Sequence, residues 1–311
     1  MHKKIRIATR RSALALWQAN HIKERLIKLY PHLIVELIPM QTTGDKILDK
    51  SLAKIGGKGL FVKELENALL EDRADLAVHS MKDMPPELPT DLIISTICQR
   101  EDPRDVLVTH QHHDFKNLSQ GAIVGSSSLR RQSQLLSVRP DLKIIPLRGN
   151  VDTRIKKLLA QEFDAIILAA AGVKRLGLIE HISDYFPPET LIPAVAQGAL
   201  GLQCRKTDTS LQKLLVPLNH EKTHQCVLAE RAVTRRLGGS CQTPIAAYAC
   251  LKNSTLHLQA MVAEPDGSRL IKGSLIGNLK TPEQEGEKLA EQLLKLGADE
   301  VLEKLKGDAH P

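Results

Sequence analysis

Around Ile5 and Ile7, residues 3–8 alternate apolar and polar, and then the period changes. Leu16, Ala19, Ile22, Leu26 and Leu29 recur at steps of three and four. The first spacing predicts a strand and the second an amphipathic helix. Short apolar strands are expected again at 34–38, 76–78, 92–97, 106–108, 123–125, 143–147, 164–169 and 200–204. Helical stretches are expected over 60–70, after Ser128, around Arg154 and over 211–218. Strands alternating with helices predict α/β units built on open sheets. The last third has another rhythm. Segments 245–248, 256–262 and 269–274 follow one another, with Pro265, Asp266 and Gly267 as a turn, which predicts a small antiparallel sheet. Thr281, Pro282 and Gln284 read as a capping-box start to a helix carrying Leu289, Leu293 and Leu296, stopped at Gly297.

Two interruptions divide the α/β portion. Arg100, Glu101, Asp102, Pro103, Arg104 and Asp105 form a charged, proline-bearing connection, and residues 194–201, after Pro193, are small and apolar around Gln197 and Gly198. Both read as crossings between domains. The expected division is a discontinuous α/β domain of residues 1–98 and 199–216, a second α/β domain of 104–192, and an α+β domain of 221–311.

Charge narrows the choice of ligand. Among 311 residues, 43 Lys and Arg against 36 Asp and Glu leave a formal charge of +7, yet only 3% of residues are aromatic. A single-strand nucleic-acid binder needs rings on which bases stack, so an acidic small molecule fits better and no nucleic acid is expected. The longest apolar run, 165–173, is too short for a bilayer, and the N-terminus has no signal-peptide core. A cytoplasmic, membrane-free protein is the expectation, with monomer as the expected state. Cys98, Cys204, Cys226, Cys241 and Cys250 form no C-x-x-C pair, and an odd count argues for reduced thiols.

The candidate chemistry collects where strands end. The strand at 76–78 runs into His79, Ser80, Met81, Lys82 and Asp83 before Pro85 and Pro86. Ligand crevices of open α/β sheets lie outside such carboxyl ends. A solvated turn with a local ion pair is the competing reading of Lys82 and Asp83 alone. Arg10 and Ser12 follow the first strand, where Ser12 caps the next helix and, with Arg10, makes a place for an anion. Residues 46–59 are dense in glycine and lysine, including Lys54 and Lys58, so a lid over an anionic ligand and a plain flexible loop are both open readings. Ser126, Ser127, Ser128, Arg130 and Arg131 sit between a strand and a helix; Arg148 follows the next strand with Arg154 one turn further on, and Lys174 and Arg175 follow another. Three consecutive strand ends bearing arginine favour a polyanionic ligand. His110, His112 and His113 lack an ordered ligand pattern. His220, Glu221 and His224 match H-E-x-x-H, but at a helix start and without a third ligand, so no metal is expected. Cys241 lies in a glycine-rich turn after Gly238 and Gly239.

Taken together, residues 7–12, Thr43-Gly44-Asp45, 56–64, 78–83, 100–105, 124–131, 147–150, 196–201 and the Cys241 loop resemble the porphobilinogen deaminase, or hydroxymethylbilane synthase, family. The resemblance spans essentially the whole chain. It implies two periplasmic-binding-protein-like α/β domains plus a small α+β C-terminal domain with an antiparallel sheet. It also implies a transferase of tetrapyrrole (haem) biosynthesis that condenses four porphobilinogen molecules head to tail with release of ammonia. A dipyrromethane cofactor is implied as a thioether on Cys241. By motif, Asp83 would be catalytic, and Lys82, Ser128, Arg130 and Arg131 would hold the cofactor. Arg10, Ser12, Arg148, Arg154 and Arg175 would hold substrate rings, Lys54 and Lys58 would lie on the lid, and product would pass to uroporphyrinogen III synthase. Ser240 and Ser126 depart from the glycine and threonine usual in the family. A non-catalytic anion-binding module on the same scaffold, and a zinc hydrolase using His220 and His224, are the competing classes.

Overall fold

The computed structural model describes residues 3–46, 59–110, 113–239 and 243–307. The described residues fold into two compact units, one of residues 3–46, 59–101 and 198–224, the other of 102–110, 113–197, 225–239 and 243–307.

In the first unit, β1 (Lys4–Arg10), β2 (Ile34–Met40) and β3 (Leu76–Ser80) run parallel, while β10 (Leu200–Arg205) is antiparallel to both β3 and β4 (Leu92–Ile97). The order is β2-β1-β3-β10-β4. Central strands β1 and β3 are buried almost throughout, because helices cover both faces of such a sheet. Pro39 is tolerated in β2 because that strand is an edge. Helix α1 (Ala13–Leu29) turns Ala19, Ile22 and Leu26 onto the sheet, and together with Ile5, Ile7, Leu76 and Leu202 they form one core. Fully burying each such leucine or isoleucine stabilises the fold by about 1.5–3 kcal/mol.

The second unit repeats the plan. β6 (Ile123–Gly125), β7 (Lys143–Ile145) and β8 (Ala165–Ala169) are parallel, and β5 (Asp105–Thr109) is antiparallel to β8 and to a two-residue edge strand, β9 (Asp184–Tyr185), giving β7-β6-β8-β5-β9. In each sheet the antiparallel strand begins at the end of one of the two interruptions, β5 at Asp105 and β10 at Leu200. Two such sheets with exchanged strands are the periplasmic-binding-protein-like architecture expected from the resemblance.

The same unit carries the antiparallel sheet of β11 (Ile245–Lys252), β12 (Thr255–Ala263) and β13 (Leu270–Gly277). Its separate core packs Ala229 and Val233, from the helix Glu221–Arg236, and Leu289 and Leu293, from the helix Pro282–Leu293, against Ala247, Leu258 and Ala260. The two helices cross closely at Gly286, where an added Cβ would lie 2.3 Å from the Ala229 carbonyl oxygen.

Several local expectations are corrected. Thr281 precedes the helix without donating or accepting a side-chain cap bond, so no capping box forms. The helical run stops at Gly297 as expected, where φ is +93°, but a further helix, Asp299–Gly307, follows it. His79 and Ser80 belong to β3 itself, not to the turn after it. Edge strand β9 has no apolar run to announce it.

Candidate functional site

Parallel pairing of β1 with β3, with Ile7 opposite Leu76 and Ala8 opposite Ala77, brings Arg10 and the turn after Ser80 to one edge of the first sheet. Above that edge, between the starts of α1 and of the helix Lys63–Leu70, lies a shallow cleft, open to solvent, whose lining includes Arg10, Ser12, Phe61, His79, Ser80 and Asp83. Ser12 caps α1, its Oγ accepting from Ala15 N at 3.3 Å. Arg10 donates from Nε to Asp45 Oδ2 at 3.3 Å and from Nη2 to Asp45 Oδ1, and its guanidinium lies 4.3 Å from the Phe61 ring centroid. Burial alone would raise the Asp45 pKa, but Arg10 and the Thr42 hydroxyl outweigh it and hold the carboxyl below its ordinary value.

Asp83 closes a single 3₁₀ turn, Met81–Asp83, with Lys82 at its middle. The turn is pinned by Met81 N donating to Ala199 O at 3.0 Å, and Ser80 Oγ accepts from Gln18 Nε2 at 2.8 Å. Among the described residues none is hydrogen-bonded or ion-paired to the half-buried Asp83 carboxylate. The Asp83 carboxylate and the Arg10 guanidinium thus line the same cleft.

The strand ends of the second unit hold a different arrangement. Asp105, the first residue of β5, is fully buried. Arg130 Nη1 lies 2.8 Å from its Oδ2 and donates to Ile192 O at 2.7 Å. Arg131 donates to Asp105 Oδ1 from Nη2 at 2.7 Å and from Nε at 3.1 Å, and to Ile167 O from Nη1 at 2.9 Å. Gln197 Nε2 adds bonds to Asp105 Oδ1 at 3.0 Å and to Pro103 O at 2.7 Å. Burial would raise the Asp105 pKa, but the two guanidiniums hold it far below the usual carboxylate range. Burial pulls Arg130 down from its ordinary value.

Ser126, Ser127 and Ser128 lead into the helix Leu129–Val138. Ser128 Oγ accepts from Arg131 N at 3.4 Å, and Ser127 Oγ donates to Leu147 O at 2.9 Å. Arg148 is half-buried, lowered from its ordinary pKa by desolvation, and without a hydrogen bond or ion pair to a described residue. Arg154 Nε donates to Gly149 O at 2.8 Å. Arg175 ends the helix Ala170–Arg175, and its neighbour Lys174 is 2.9 Å from Asp102.

This donor set suits a group rich in carboxylates. Two buried guanidiniums share one buried carboxylate, which leaves a positive charge that an anion on the neighbouring helix N-terminus would offset. Cys241 and Ser240, the lid candidates Lys54 and Lys58, and His112 lie outside the described residues. His220 and His224 are engaged at the helix start, His220 Nδ1 2.7 Å from Thr223 Oγ1 and His224 Nδ1 3.0 Å from Asn219 Oδ1.

Sequence reasoning misses four participants. It reads Asp105 and Gln197 only as parts of the crossings, Phe61 as part of a helix, and Asp45 as part of a loop motif. An acid opening an otherwise apolar strand is the signal for Asp105, since a buried carboxylate needs cationic partners. Stacking of Phe61 under Arg10 has no sequence signal.

Fold and side chains define an α/β scaffold of two five-stranded sheets. Its strand ends carry clustered cations and, in the first unit, a carboxylate without a partner among the described residues. The family model described as porphobilinogen deaminase, dipyromethane cofactor binding domain, matches residues 5–213, and that of the porphobilinogen deaminase C-terminal domain matches 224–295. The chain belongs to the porphobilinogen deaminase family. Among solved structures it is similar to the periplasmic VFT2 domain of Bordetella pertussis BvgS, with 17% identity and a TM-score of 0.42 over 69% of this chain and 86% of that one. It is also similar to the periplasmic aliphatic sulphonate binding protein SsuA from Escherichia coli, at 14% identity and a TM-score of 0.42 over 76% of this chain and 70% of that one.

Proposed function

We propose that the chain is a hydroxymethylbilane synthase, a transferase that joins four porphobilinogen molecules head to tail in tetrapyrrole biosynthesis. The observation that carries the reading, beside family membership, is the Asp83 carboxylate, unpaired among the described residues and facing a cleft that also holds the Arg10 guanidinium. Porphobilinogen is a pyrrole with an acetate, a propionate and an aminomethyl arm. In each condensation the bond from the aminomethyl carbon to nitrogen breaks and ammonia leaves. That carbon bonds to the free α-carbon of the next ring, which loses its proton. Positive charge develops on the pyrrole as nitrogen departs. Asp83 accepts from the ring N–H and opposes that charge, which is electrostatic stabilisation by a preorganised group. Arg10, with Ser12, receives a side-chain carboxylate, and its Asp45 and Phe61 contacts fix the guanidinium plane beforehand.

A dipyrromethane cofactor fits the second unit's excess of positive charge, with Ser128, Arg130 and Arg131 as its holders. When bound as a thioether at Cys241 it supplies the pyrrole terminus from which elongation starts. Arg148, Arg154 and Arg175 take carboxylates of incoming rings, and Lys54 and Lys58 cover the ligand. We further assign three domains, residues 1–98 with 199–216, 104–192 and 221–311, in a cytoplasmic monomer that passes its product to uroporphyrinogen III synthase. No described helix is long and apolar enough to cross a membrane.

The test is the intact and peptide-mapped mass of the purified protein, combined with ammonia release from porphobilinogen. A two-pyrrole adduct on Cys241 together with turnover is the expected result. An unmodified Cys241 that gains no adduct on incubation with porphobilinogen, and no ammonia, would leave a non-catalytic anion-binding module.

A further inference from the structure

His79 is used by no step above, yet it lines the cleft with Ser80 and Asp83 while only 5% exposed. Strand pairing explains its surroundings. His79 stands opposite Gly201 on β10, where the Met81 side chain takes the place of a β10 side chain, and Gln203, two residues along β10 and on the same face, reaches the ring. His79 Nε2 is 2.9 Å from Gln203 Oε1, and Gln203 Nε2 donates to Glu66 Oε1 at 2.9 Å. Glu66 is itself buried on the helix Lys63–Leu70 that covers this face.

The chain of bonds has one consistent polarity. A carboxylate oxygen at Glu66 requires the amide N–H₂ of Gln203 on its side, which turns the amide oxygen towards His79. Nε2 must then carry the ring proton, and Nδ1 is left with a lone pair that no described residue meets. Burial also disfavours the imidazolium, bringing the His79 pKa down to about 4. A nearly buried nitrogen acceptor at a cleft wall demands a donor from whatever fills the cleft.

We propose that His79 is an uncharged acceptor of the site, its Nδ1 receiving an N–H of the bound pyrrolic ligand, with Gln203 and Glu66 as positioning residues that fix its tautomer. The assignment rests on the reading of the cleft as a porphobilinogen site. It gives the pyrrole and aminomethyl N–H groups a second partner beside Asp83, and a neutral one, so the cleft holds one anion and not two.

The experiment uses the holoenzyme labelled with ¹⁵N-histidine. The ring is expected in the neutral Nε2–H form at neutral pH, and porphobilinogen is expected to move the Nδ1 resonance. An Nδ1–H tautomer, an imidazolium, or an unmoved Nδ1 would overturn the assignment. His79→Gln keeps an amide at the Nε2 position and removes the Nδ1 acceptor. It is expected to lower kcat/KM for ammonia release about tenfold, with His79→Asn, whose amide oxygen falls near the Nδ1 position, losing less. Glu66→Gln is expected to admit the Nδ1–H tautomer in the same spectra. Wild-type activity with an unimpaired His79→Gln refutes the role of His79 alone. A wild type without turnover refutes the functional reading and removes the ligand on which this inference rests. If His79→Gln does not fold, the wild-type spectra with and without porphobilinogen decide.

Discussion

Asp105→Asn is the sharpest perturbation of the second unit. The native carboxylate is fully buried, with Arg130 Nη1 and Arg131 Nη2 at 2.8 and 2.7 Å, and both guanidiniums are themselves below one-tenth exposed. Asparagine keeps the shape and one acceptor but removes the only counter-charge these guanidiniums have among the described residues. Breaking a buried pair from one side costs about 3–5 kcal/mol, because the remaining charge is stranded away from water. Two cations share the carboxylate here, so the upper half of that range is expected. For a unit of this size, such a loss lowers the unfolding midpoint by roughly 8–20 °C, readable by calorimetry or thermal circular dichroism. Arg131→Met should cost less in the Asp105→Asn background than in the wild type, since the partner is already gone. The exposed Arg235–Glu283 pair is the control, and Glu283→Gln should leave the midpoint unmoved. An Asp105→Asn protein within about 1 kcal/mol of wild type would refute the reasoning, showing that water reaches the guanidiniums in solution.

Other outcomes follow from the same geometry. Asp83→Asn is expected to fold normally and to release ammonia about 10²–10³-fold more slowly, measured by colorimetric turnover; persistent activity would remove Asp83 from its role. Gly201→Ala places a Cβ 2.1 Å from the Met81 sulfur, beneath the turn that ends in Asp83. It should destabilise the first unit by about 1–3 kcal/mol and depress turnover, and a melting curve identical to wild type would contradict that packing. Acid should destabilise the fold in two stages. His79 has a folded pKa of about 4 against an ordinary 6.5, so the unfolded chain takes up its proton first and stability falls as pH drops between those values. The loss is about 3 kcal/mol from this group, and His79→Gln should flatten that part of the profile. Asp45, Asp102 and Asp105, lowered in the folded state, add further losses through the carboxylate range, while Glu66, raised by burial, opposes them.

Periodicity alone was enough to recover the alternation of strands and helices and the antiparallel character of the last sheet, because burial on one or both faces of an element writes itself into local spacing. Strand ends with chemistry were legible for a related reason. Arg10, Asp83, Arg130 and Arg148 stand directly after apolar runs, and a polar group there must face a crevice or find a partner. Family motifs then attached roles to them.

What the spacing left undecided was pairing. Nothing local says that Asp105 draws Arg130, Arg131 and Gln197 onto one carboxylate, or that Asp45 and Phe61 hold the Arg10 guanidinium. Nor does it say that Gln203, 124 residues beyond His79, sets the histidine's tautomer. These contacts join segments distant in sequence, and they exist only because the sheet order β2-β1-β3-β10-β4, and its repeat in the second unit, lays a returning antiparallel strand against a parallel one. Local spacing records which faces avoid water. Which buried charges meet is fixed by strand order, because a charge far from water is stable only where the tertiary fold delivers its partner.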